Sequence, residues 1–369
     1  MAQQTSRRRF VQLAGTGAAA LAVASEATPT LAAAAHSLPN LAQAAPMLAL
    51  DPQMQDVINE LIALEPPKII DMTPFNSRQG NAVVGAVQAV LTKQGKSPVE
   101  PVSNVAHRLI PGGAGQQLLV RIYQPAGDGP FPALVYFHGG GWVLANLDVY
   151  DSSCRAITNA AQCAVISVAY RQAPENKFPA APEDCYAAYR WVLANAAAIR
   201  VDPARVAVGG ESAGGNLATV TALLARDRKA PLPVHQLLIY PVTTTAIANR
   251  PKFASYAENV DTLPLNTPTL DWFYSYYLRR PGDSANPYAS PLIANVQGLP
   301  AATVITAEFD PLRDEGEAYA KRLQDAGVAT TLTRYSGVTH EFFSMAGVLD
   351  KAKQAVAEAA IGLKKSFGT

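Results

Sequence analysis

The sequence predicts an α/β fold with a mostly parallel central sheet that helices flank on both faces. Short apolar runs alternate along the chain with segments whose apolar residues recur at helical spacing. Residues 133–137 contain no charged or amide side chain, and residues 164–170 are apolar apart from Ser167 and the hydroxyl of Tyr170. Near-continuous apolar runs are typical of strands buried on both faces. Their alternation with helices favours parallel strands joined by helical crossovers.

The elements follow one another in a regular order. Pro66 and Pro67 end the first helix. The predicted strands are 118–123, 133–137, 164–170, 205–208, 237–240, 303–307 and 330–335. The predicted helices are 51–64, 80–95, 149–161, 183–199, 217–225, 271–278, 315–326 and 347–365.

The composition excludes several classes of protein. The 369 residues carry a formal net charge of +1, and 49% of them are hydrophobic. A chain of this length buries one large core or two smaller ones. We expect no nucleic-acid partner, because there is no basic excess, and no metal, because His and Cys do not occur at zinc spacing.

The first 36 residues have the organisation of an export signal. Residues 6–10, SRRRF, resemble the twin-arginine signature S-R-R-x-F, and a mildly apolar stretch at 11–24 follows them. That stretch is too short for a stable membrane anchor. We therefore predict a twin-arginine-type signal peptide over 1–36 and a periplasmic or secreted protein. The alternative is a basic N-terminus beside an Ala-rich helix.

An exported location bears on the three cysteines of the chain. Cys154, Cys163 and Cys185 are either buried free thiols or, in an oxidising compartment, one disulfide and one free thiol. The sequence alone does not decide between these two states.

The remaining chain divides into two predicted parts. Residues 106–366 contain the strand–helix alternation and form the predicted catalytic domain. Residues 243–290 interrupt the alternation with a segment rich in Tyr, Pro, Thr and Asn. We interpret this segment as an insertion above the sheet that forms a cap together with residues 45–105.

A serine at a strand-to-helix junction is the predicted nucleophile. Residues 210–214, GESAG, match G-x-S-x-G, and the motif lies between a strand and a helix that begins near Ala213. In this setting Gly210 and Gly214 make room for a sharp turn that exposes the Ser212 hydroxyl. The alternative is a Gly-rich turn with an incidental serine.

A serine nucleophile needs a base and a carboxylate that orients the base. His340 follows a predicted parallel strand and precedes the last helix, where an active-site base belongs. His107 lies before the predicted sheet, and His235 begins a strand. Asp310 follows the strand 303–307 and is the predicted orienting acid.

Two other acidic residues near Asp310 are less favoured. Glu308 is the weaker catalytic candidate, and Asp314 is interpreted as a helix N-terminal residue. The alternative for Asp310 itself is a turn or capping role.

Three glycines after a strand predict an anion-binding loop. His138, Gly139, Gly140 and Gly141 follow the apolar strand 133–137 directly. Backbone N–H groups in such a loop can hold the oxyanion of a tetrahedral intermediate. We predict that the amides of Gly139 and Gly140 serve this purpose.

The third predicted oxyanion donor is the amide of Ala213, at the start of the helix that follows Ser212. His138 is interpreted as a residue that shapes the glycine loop. A phosphate-binding loop is the competing interpretation, but the sequence lacks G-K-[ST] and G-x-G-x-x-G.

Together these motifs resemble the hormone-sensitive-lipase-like branch of the α/β-hydrolases. The resemblance covers about residues 50–366. HGGGW at 138–142 is similar to the oxyanion loop of that family, and YRQAPENKFPA at 170–180 to its Y-R-x-A-P-E segment. GESAGGN at 210–216 has Glu211 where Asp is common. DPLRDEG at 310–316 and HEF at 340–342 carry the acid and base, with Glu341 where Gly is usual.

The resemblance implies hydrolysis of short- to medium-chain carboxylic esters, a small-molecule substrate and no cofactor or metal. The same machinery also serves amidases, deacetylases and acyltransferases, which the motifs do not separate. A remote alternative is a non-catalytic binding protein on the same scaffold, like the plant gibberellin receptors, which lack the histidine that this chain retains. Members of the family often dimerise through an edge strand, so a homodimer is a hypothesis.

Overall fold

A computed structural model of the chain describes residues 49–369. The predicted signal peptide lies outside the described residues, and its prediction stays untested. Within residues 49–369, none of the helices combines the length and the hydropathy that crossing a bilayer requires. In the same part of the chain, Cys154, Cys163 and Cys185 are buried free thiols.

Eight strands of the described chain form one sheet in the order β1-β2-β4-β3-β5-β6-β7-β8. The strands β3 to β8 pair in parallel, whereas β1 and β2 are antiparallel at one edge. The strands are β1 (Asn104–Pro111), β2 (Gln117–Gln124), β3 (Phe131–Phe137), β4 (Ala164–Val168), β5 (Val201–Glu211), β6 (His235–Ile239), β7 (Ala301–Phe309) and β8 (Thr330–Thr339). The predicted fold class is thereby confirmed.

Helices connect the strands and cover both faces of the sheet. Each crossover between parallel strands contains one helix, except the longer connection from β6 to β7, which contains two helices and several 3-10 turns. The helices are α1 (Pro52–Ala63), α2 (Pro74–Ser77), α3 (Ala82–Lys93), α4 (Asp151–Ala161), α5 (Ala180–Ala194), α6 (Ala213–Asp227), α7 (Ser255–Glu258), α8 (Thr267–Tyr277), α9 (Arg313–Asp325) and α10 (Asp350–Phe367).

The core lies in two apolar layers, one on each face of the sheet. Every residue of β3, β4 and β6 is buried, as the mainly apolar runs in these strands predict. Side chains of α5, α6, α8 and α9 pack in one layer, and those of α1, α3, α4 and α10 pack in the other. Because both faces are covered, the carboxyl ends of the parallel strands are the part of the sheet left for a site.

The structure corrects the predicted position of His107. His107 lies within β1, whereas the sequence placed it before the sheet. This edge strand has mostly exposed or half-buried residues, so its apolar signal is weak. The Nε2 atom of His107 lies 2.8 Å from Nε of Arg121 on β2, so this histidine belongs to the antiparallel edge.

The last strand and one helix also differ from their predicted bounds. β8 continues to Thr339, four residues beyond the predicted end, so His340 follows the strand directly. The pair Ser336-Gly337, which is typical of a turn, obscured this extension. The predicted helix 183–199 ends at Ala194, and a 3-10 turn over Ala196–Ile199 follows it.

Candidate active site

Ser212 occupies a sharp turn between β5 and α6. β5 ends at Glu211 and α6 begins at Ala213, so Ser212 is the single residue between them. Its backbone has φ 58° and ψ −119°, a conformation that non-glycine residues rarely adopt. The Ser212 N–H donates to the carbonyl oxygen of Ile239 at 2.9 Å, which fixes the turn against β6.

The glycines on both sides of Ser212 are required by close backbone contacts. A Cβ atom on Gly210 would lie 2.3 Å from the carbonyl oxygen of Phe137, and one on Gly214 would lie 1.8 Å from it. Distances this short exclude any side chain at either position. The G-x-S-x-G pattern therefore has the geometric cause that the sequence predicts for it.

The Ser212 side chain is mostly enclosed, with 5% of the residue exposed. Within residues 49–369, its hydroxyl makes no hydrogen bond to another group. It stands at the N-terminus of α6, where free N–H groups and the helix dipole favour negative charge. The hydroxyl is thus free to rotate towards a neighbouring base or a bound substrate.

Asp310 and His340 are in direct contact. The Nδ1 atom of His340 lies 2.6 Å from Oδ2 of Asp310, and both residues are buried. The other carboxylate oxygen of Asp310 accepts the Leu312 N–H at 2.9 Å, which fixes the turn after β7. This arrangement leaves Nε2 of His340 as the nitrogen that can exchange a proton with a substrate.

The charge environment of His340 favours its protonated form. Burial disfavours the imidazolium, but the carboxylates of Asp310, Glu341 and Glu211 outweigh burial, so the pKa of His340 lies above its ordinary value. A base with a raised pKa takes a proton more readily from a hydroxyl. It is also neutral, and therefore ready to act, only above that pKa.

Ser212, Asp310 and His340 all lie at the carboxyl ends of parallel strands. Ser212 ends β5, Asp310 follows β7 and His340 follows β8, and these strands are parallel and close in the sheet order. Ser212 is bonded to Ile239, and the ring of the next residue, Tyr240, lies 4.5 Å from the His340 ring between centroids. The three residues that the sequence selects therefore share one end of the sheet.

The glycine loop after β3 lies beside Ser212, because Phe137 pairs with Gly210 in the sheet. Gly140 and Gly141 have φ of 92° and 60°, and both are tightly enclosed. A Cβ on Gly140 would lie 2.3 Å from the Leu144 carbonyl oxygen. Glycine is therefore needed for both the conformation and the space.

Three backbone amides near Ser212 have no acceptor among residues 49–369. They are the N–H groups of Gly139, Gly140 and Ala213, the same groups that the sequence selects as oxyanion donors. Gly139 and Ala213 are buried and Gly140 is partly buried, and buried N–H groups without partners are rare in folded proteins. Three such donors around one hydroxyl are suited to bind a negatively charged oxygen.

His138 packs against the glycine loop. Its Nδ1 lies 2.8 Å from the Gly139 carbonyl oxygen, and its ring stacks on Tyr170 with centroids 4.4 Å apart. Burial lowers the pKa of His138 to about 4, so the imidazole is neutral at physiological pH. These contacts agree with a role in loop shape.

Glu211, where the related motif commonly has Asp, is completely buried. Its carboxylate accepts hydrogen bonds from the hydroxyls of Tyr136 and Tyr240. Burial, together with the charge of Glu341, raises the pKa of Glu211 to about 7. Since Tyr240 also contacts the His340 ring, Glu211 is linked to the base through one side chain.

Glu341, where the related motif usually has Gly, adopts φ 70°. This left-handed conformation suits glycine and explains why glycine is common there.

The remaining acidic candidates lie outside the contact between Asp310 and His340. Glu308 accepts the Gly337 N–H at 2.7 Å, and Asp314 accepts the Ser255 N–H at 2.8 Å in the first turn of α9.

Comparison with known proteins identifies the family of the chain. A family model described as the alpha/beta hydrolase fold matches residues 134–344, which include all three residues of the candidate site. The chain belongs to the alpha/beta hydrolase fold family. Its resemblance to the hormone-sensitive-lipase-like branch is confirmed by relatives and solved structures that are themselves esterases.

Two relatives of this hydrolase come from Mycobacterium tuberculosis. The carboxylic ester hydrolase LipN is 44% identical over 243 residues, which cover 64% of this chain and 63% of LipN, or less than two thirds of that relative. The carboxylesterase NlhH is 40% identical over 284 residues, which cover 74% of this chain and 87% of NlhH.

The solved structures agree with the relatives. A hyperthermophilic esterase from the archaeon Pyrobaculum calidifontis superposes on this hydrolase with a TM-score of 0.79 at 38% identity. The superposition covers 86% of this chain and 98% of the esterase.

Sequence reasoning missed two aromatic residues that surround the site of this hydrolase. Tyr240 contacts the His340 ring, and Tyr150 donates its hydroxyl to Glu341 at 2.8 Å. Each lies in a loop without a recognisable motif and reaches the site only through tertiary packing. The position of Tyr240 at the end of the predicted strand 237–240 was the only signal available.

Proposed function

We propose that this carboxylic ester hydrolase cleaves esters with Ser212 as nucleophile, His340 as general base and acid, and Asp310 as the residue that orients His340. The observation that carries the proposal is the 2.6 Å contact between His340 Nδ1 and Asp310 Oδ2, at the same sheet edge as the strained turn of Ser212. This combination serves to generate a nucleophile from a hydroxyl.

The first stage is acylation of Ser212. The Oγ atom forms a bond to the ester carbonyl carbon while its proton passes to Nε2 of His340, and Asp310 stabilises the imidazolium. The electron pair of the C=O bond moves onto oxygen, where the N–H groups of Gly139, Gly140 and Ala213 bind it. The bond to the alcohol oxygen then breaks, and that oxygen takes the proton from Nε2.

The second stage is hydrolysis of the acyl-enzyme. A water molecule gives its proton to Nε2 of His340 as it attacks the acyl carbon, and the same amides bind the second oxyanion. When this intermediate collapses, the carboxylic acid leaves and the proton returns to Oγ of Ser212. Protons and electrons balance without any further reactant.

A preference for short- to medium-chain acyl groups is supported by the packing over the glycine loop. A Cβ atom on Gly141 would lie 2.1 Å from the Phe273 ring on α8. The Trp272 indole N–H donates to the Met72 carbonyl oxygen at 3.2 Å. These contacts tie α8 to the N-terminal segment and support the described part, residues 49–105 and 243–290, of the cap predicted over 45–105 and 243–290.

The test of acyl-chain preference is hydrolysis of p-nitrophenyl esters from acetate to palmitate. We expect kcat/KM to peak at short to medium chains because the cap confines the acyl group. A peak at the longest chains would contradict the confined site. Amidase, deacetylase or acyltransferase activity would be favoured if no ester were hydrolysed by the folded protein.

We also propose that the protein is exported through its twin-arginine-type signal. The support is the sequence of residues 1–36 alone. Changing Arg7 and Arg8 to Lys keeps the positive charge and removes the signature, so the untagged protein should remain in the cytoplasm of its host. Export of this variant at the level of the unchanged protein would overturn the proposal.

A further inference from the structure

The imidazole of His340 lies between two carboxylates. Asp310 contacts Nδ1 at 2.6 Å, and Oε1 of Glu341 lies 3.9 Å from Nε2 on the opposite side of the ring. The Glu341 side chain is 19% exposed, so the charge is largely shielded from water. At this separation a partly buried carboxylate interacts appreciably with an imidazolium.

Tyr150 holds Glu341 in this position. Its hydroxyl lies 2.8 Å from Oε1 and 2.9 Å from Oε2 of Glu341. The left-handed backbone of Glu341 is unfavourable for a residue with a Cβ, and such a conformation persists where surrounding contacts enforce it. The hydrogen bonds from Tyr150 supply such contacts, because they draw the side chain back towards the site.

Tyr150 also packs against the glycine loop. A Cβ atom on Gly139 would lie 2.2 Å from the Tyr150 hydroxyl oxygen, and Tyr150 is 1% exposed. The same hydroxyl therefore contacts Gly139, an oxyanion donor in the proposed mechanism, and Glu341, the neighbour of the proposed base. This contact joins two loops that must keep a fixed distance during acyl transfer.

We propose that the Glu341 carboxylate, which lies beside Nε2 without occupying it, stabilises the imidazolium form of His340 by its charge, while Tyr150 fixes Glu341 relative to the glycine loop. This inference rests on the proposed function, since it takes His340 as the base. It assigns to Glu341 a part in the reaction that a glycine at the same position cannot perform.

The other carboxylates near His340 already accept hydrogen bonds from other groups or contact Nδ1. Asp310 occupies Nδ1, and Glu211 accepts the hydroxyls of Tyr136 and Tyr240. Burial disfavours the imidazolium, while Asp310, Glu341 and Glu211 raise the pKa of His340. Burial also raises the pKa of Glu341, whereas His340 and Tyr150 counteract that rise. Glu341 and His340 therefore favour each other's charged forms.

The test is the pH dependence of kcat/KM for a short p-nitrophenyl ester with Glu341→Gln. The amide carbonyl oxygen of Gln still accepts from Tyr150, but the charge beside Nε2 is removed. The pKa of His340 should then fall, so the acid limb of the profile should move to lower pH by about one unit. A merely structural role would lower the rate without moving this midpoint.

The matched control is Glu358→Gln. Glu358 is a half-buried carboxylate on α10 that also accepts from a tyrosine, the Tyr335 hydroxyl at 2.8 Å. The change is chemically identical but lies away from the site, so the acid limb should stay at the wild-type midpoint. If the control moved as far as Glu341→Gln, the proposed role of Glu341 would be overturned.

A second variant keeps the inference testable if Glu341→Gln does not fold. Tyr150→Phe leaves the Glu341 charge in place but removes the hydroxyl that stabilises it, so the midpoint should move in the same direction by a smaller amount. An unchanged midpoint in the folded variants overturns the inference. Retained activity in His340→Ala would instead overturn the proposed function, so the two failures are distinguishable.

Discussion

Oδ2 of Asp310 lies 2.6 Å from Nδ1 of His340, although thirty residues separate the two in the chain. The contact exists because Asp310 follows β7 and His340 follows β8, and these strands are parallel neighbours. After a register shift between Ala307 and Phe309, Phe309 pairs with Thr339, and these are the residues directly before Asp310 and His340.

Replacing Asp310 with Asn tests the orienting role of this contact. The amide cannot stabilise an imidazolium at Nδ1 and favours the wrong tautomer of His340. We expect kcat to fall by about 10⁴-fold while KM changes little. Steady-state kinetics on p-nitrophenyl acetate measures both constants. A loss of less than about tenfold would contradict the role of Asp310.

Replacing Gly214 with Ala tests the steric cause of the serine turn. The new methyl would lie 1.8 Å from the Phe137 carbonyl oxygen, so the backbone must move. We expect the free energy of unfolding to fall by about 3 kcal/mol and activity to fall with it. Urea denaturation and ester hydrolysis together check this expectation.

The control for this change is Gly282→Ala. Gly282 has no atom within 4 Å of the position that a Cβ would occupy, so stability and activity should stay close to those of the wild type. Equal stability of Gly214→Ala and Gly282→Ala would show that the turn tolerates a side chain.

Buried Glu315 gives a prediction for stability as a function of pH. Burial raises the pKa of Glu315 to about 7, although Tyr256 and the Thr243 and Thr244 amides partly offset the rise. The folded state binds the proton more tightly than the unfolded state, in which the pKa is near 4.5. Proton binding by Glu315 therefore stabilises the folded state fully below about pH 4.5. This contribution to the free energy of unfolding is lost as the pH rises through about 7.

The variant Glu315→Gln isolates this contribution, because it retains a hydrogen-bond acceptor and loses the titration. Between pH 4.5 and 7.5 the free energy of unfolding of the wild type should decrease by about 3 kcal/mol relative to the variant. Chemical denaturation of both proteins across this range measures the difference. Parallel pH profiles for the two would contradict the raised pKa.

Much of the fold could be predicted because its strands are buried on both faces. The fully buried strands β3, β4 and β6 left short, mainly apolar runs in the sequence. The edge strand β1 left no such signal, since mostly exposed positions tolerate polar residues. The end of β8 was missed for a different reason: residues 337–339 are buried, but Ser336 and Gly337 form a pair that is typical of a turn.

The positions of Ser212, Asp310 and His340 could be predicted because each directly follows a strand of a parallel sheet, where a topological rule applies. Tyr150 and Tyr240 could not, because their contacts with Glu341, Glu211 and His340 arise from loop packing that no local pattern encodes. The hydrogen bonds that Glu211 accepts from Tyr136 and Tyr240 likewise depend on tertiary packing, so no local sequence pattern indicates them.

The most direct test of the nucleophile is Ser212→Ala beside the wild type in hydrolysis of p-nitrophenyl acetate. Circular dichroism and the midpoint of thermal unfolding would establish that the variant is folded. Removal of the hydroxyl should lower kcat by about 10⁵-fold or more, because the residual rate then comes only from binding and the oxyanion donors. Turnover by the folded variant within tenfold of the wild-type rate would show that Ser212 is not the nucleophile.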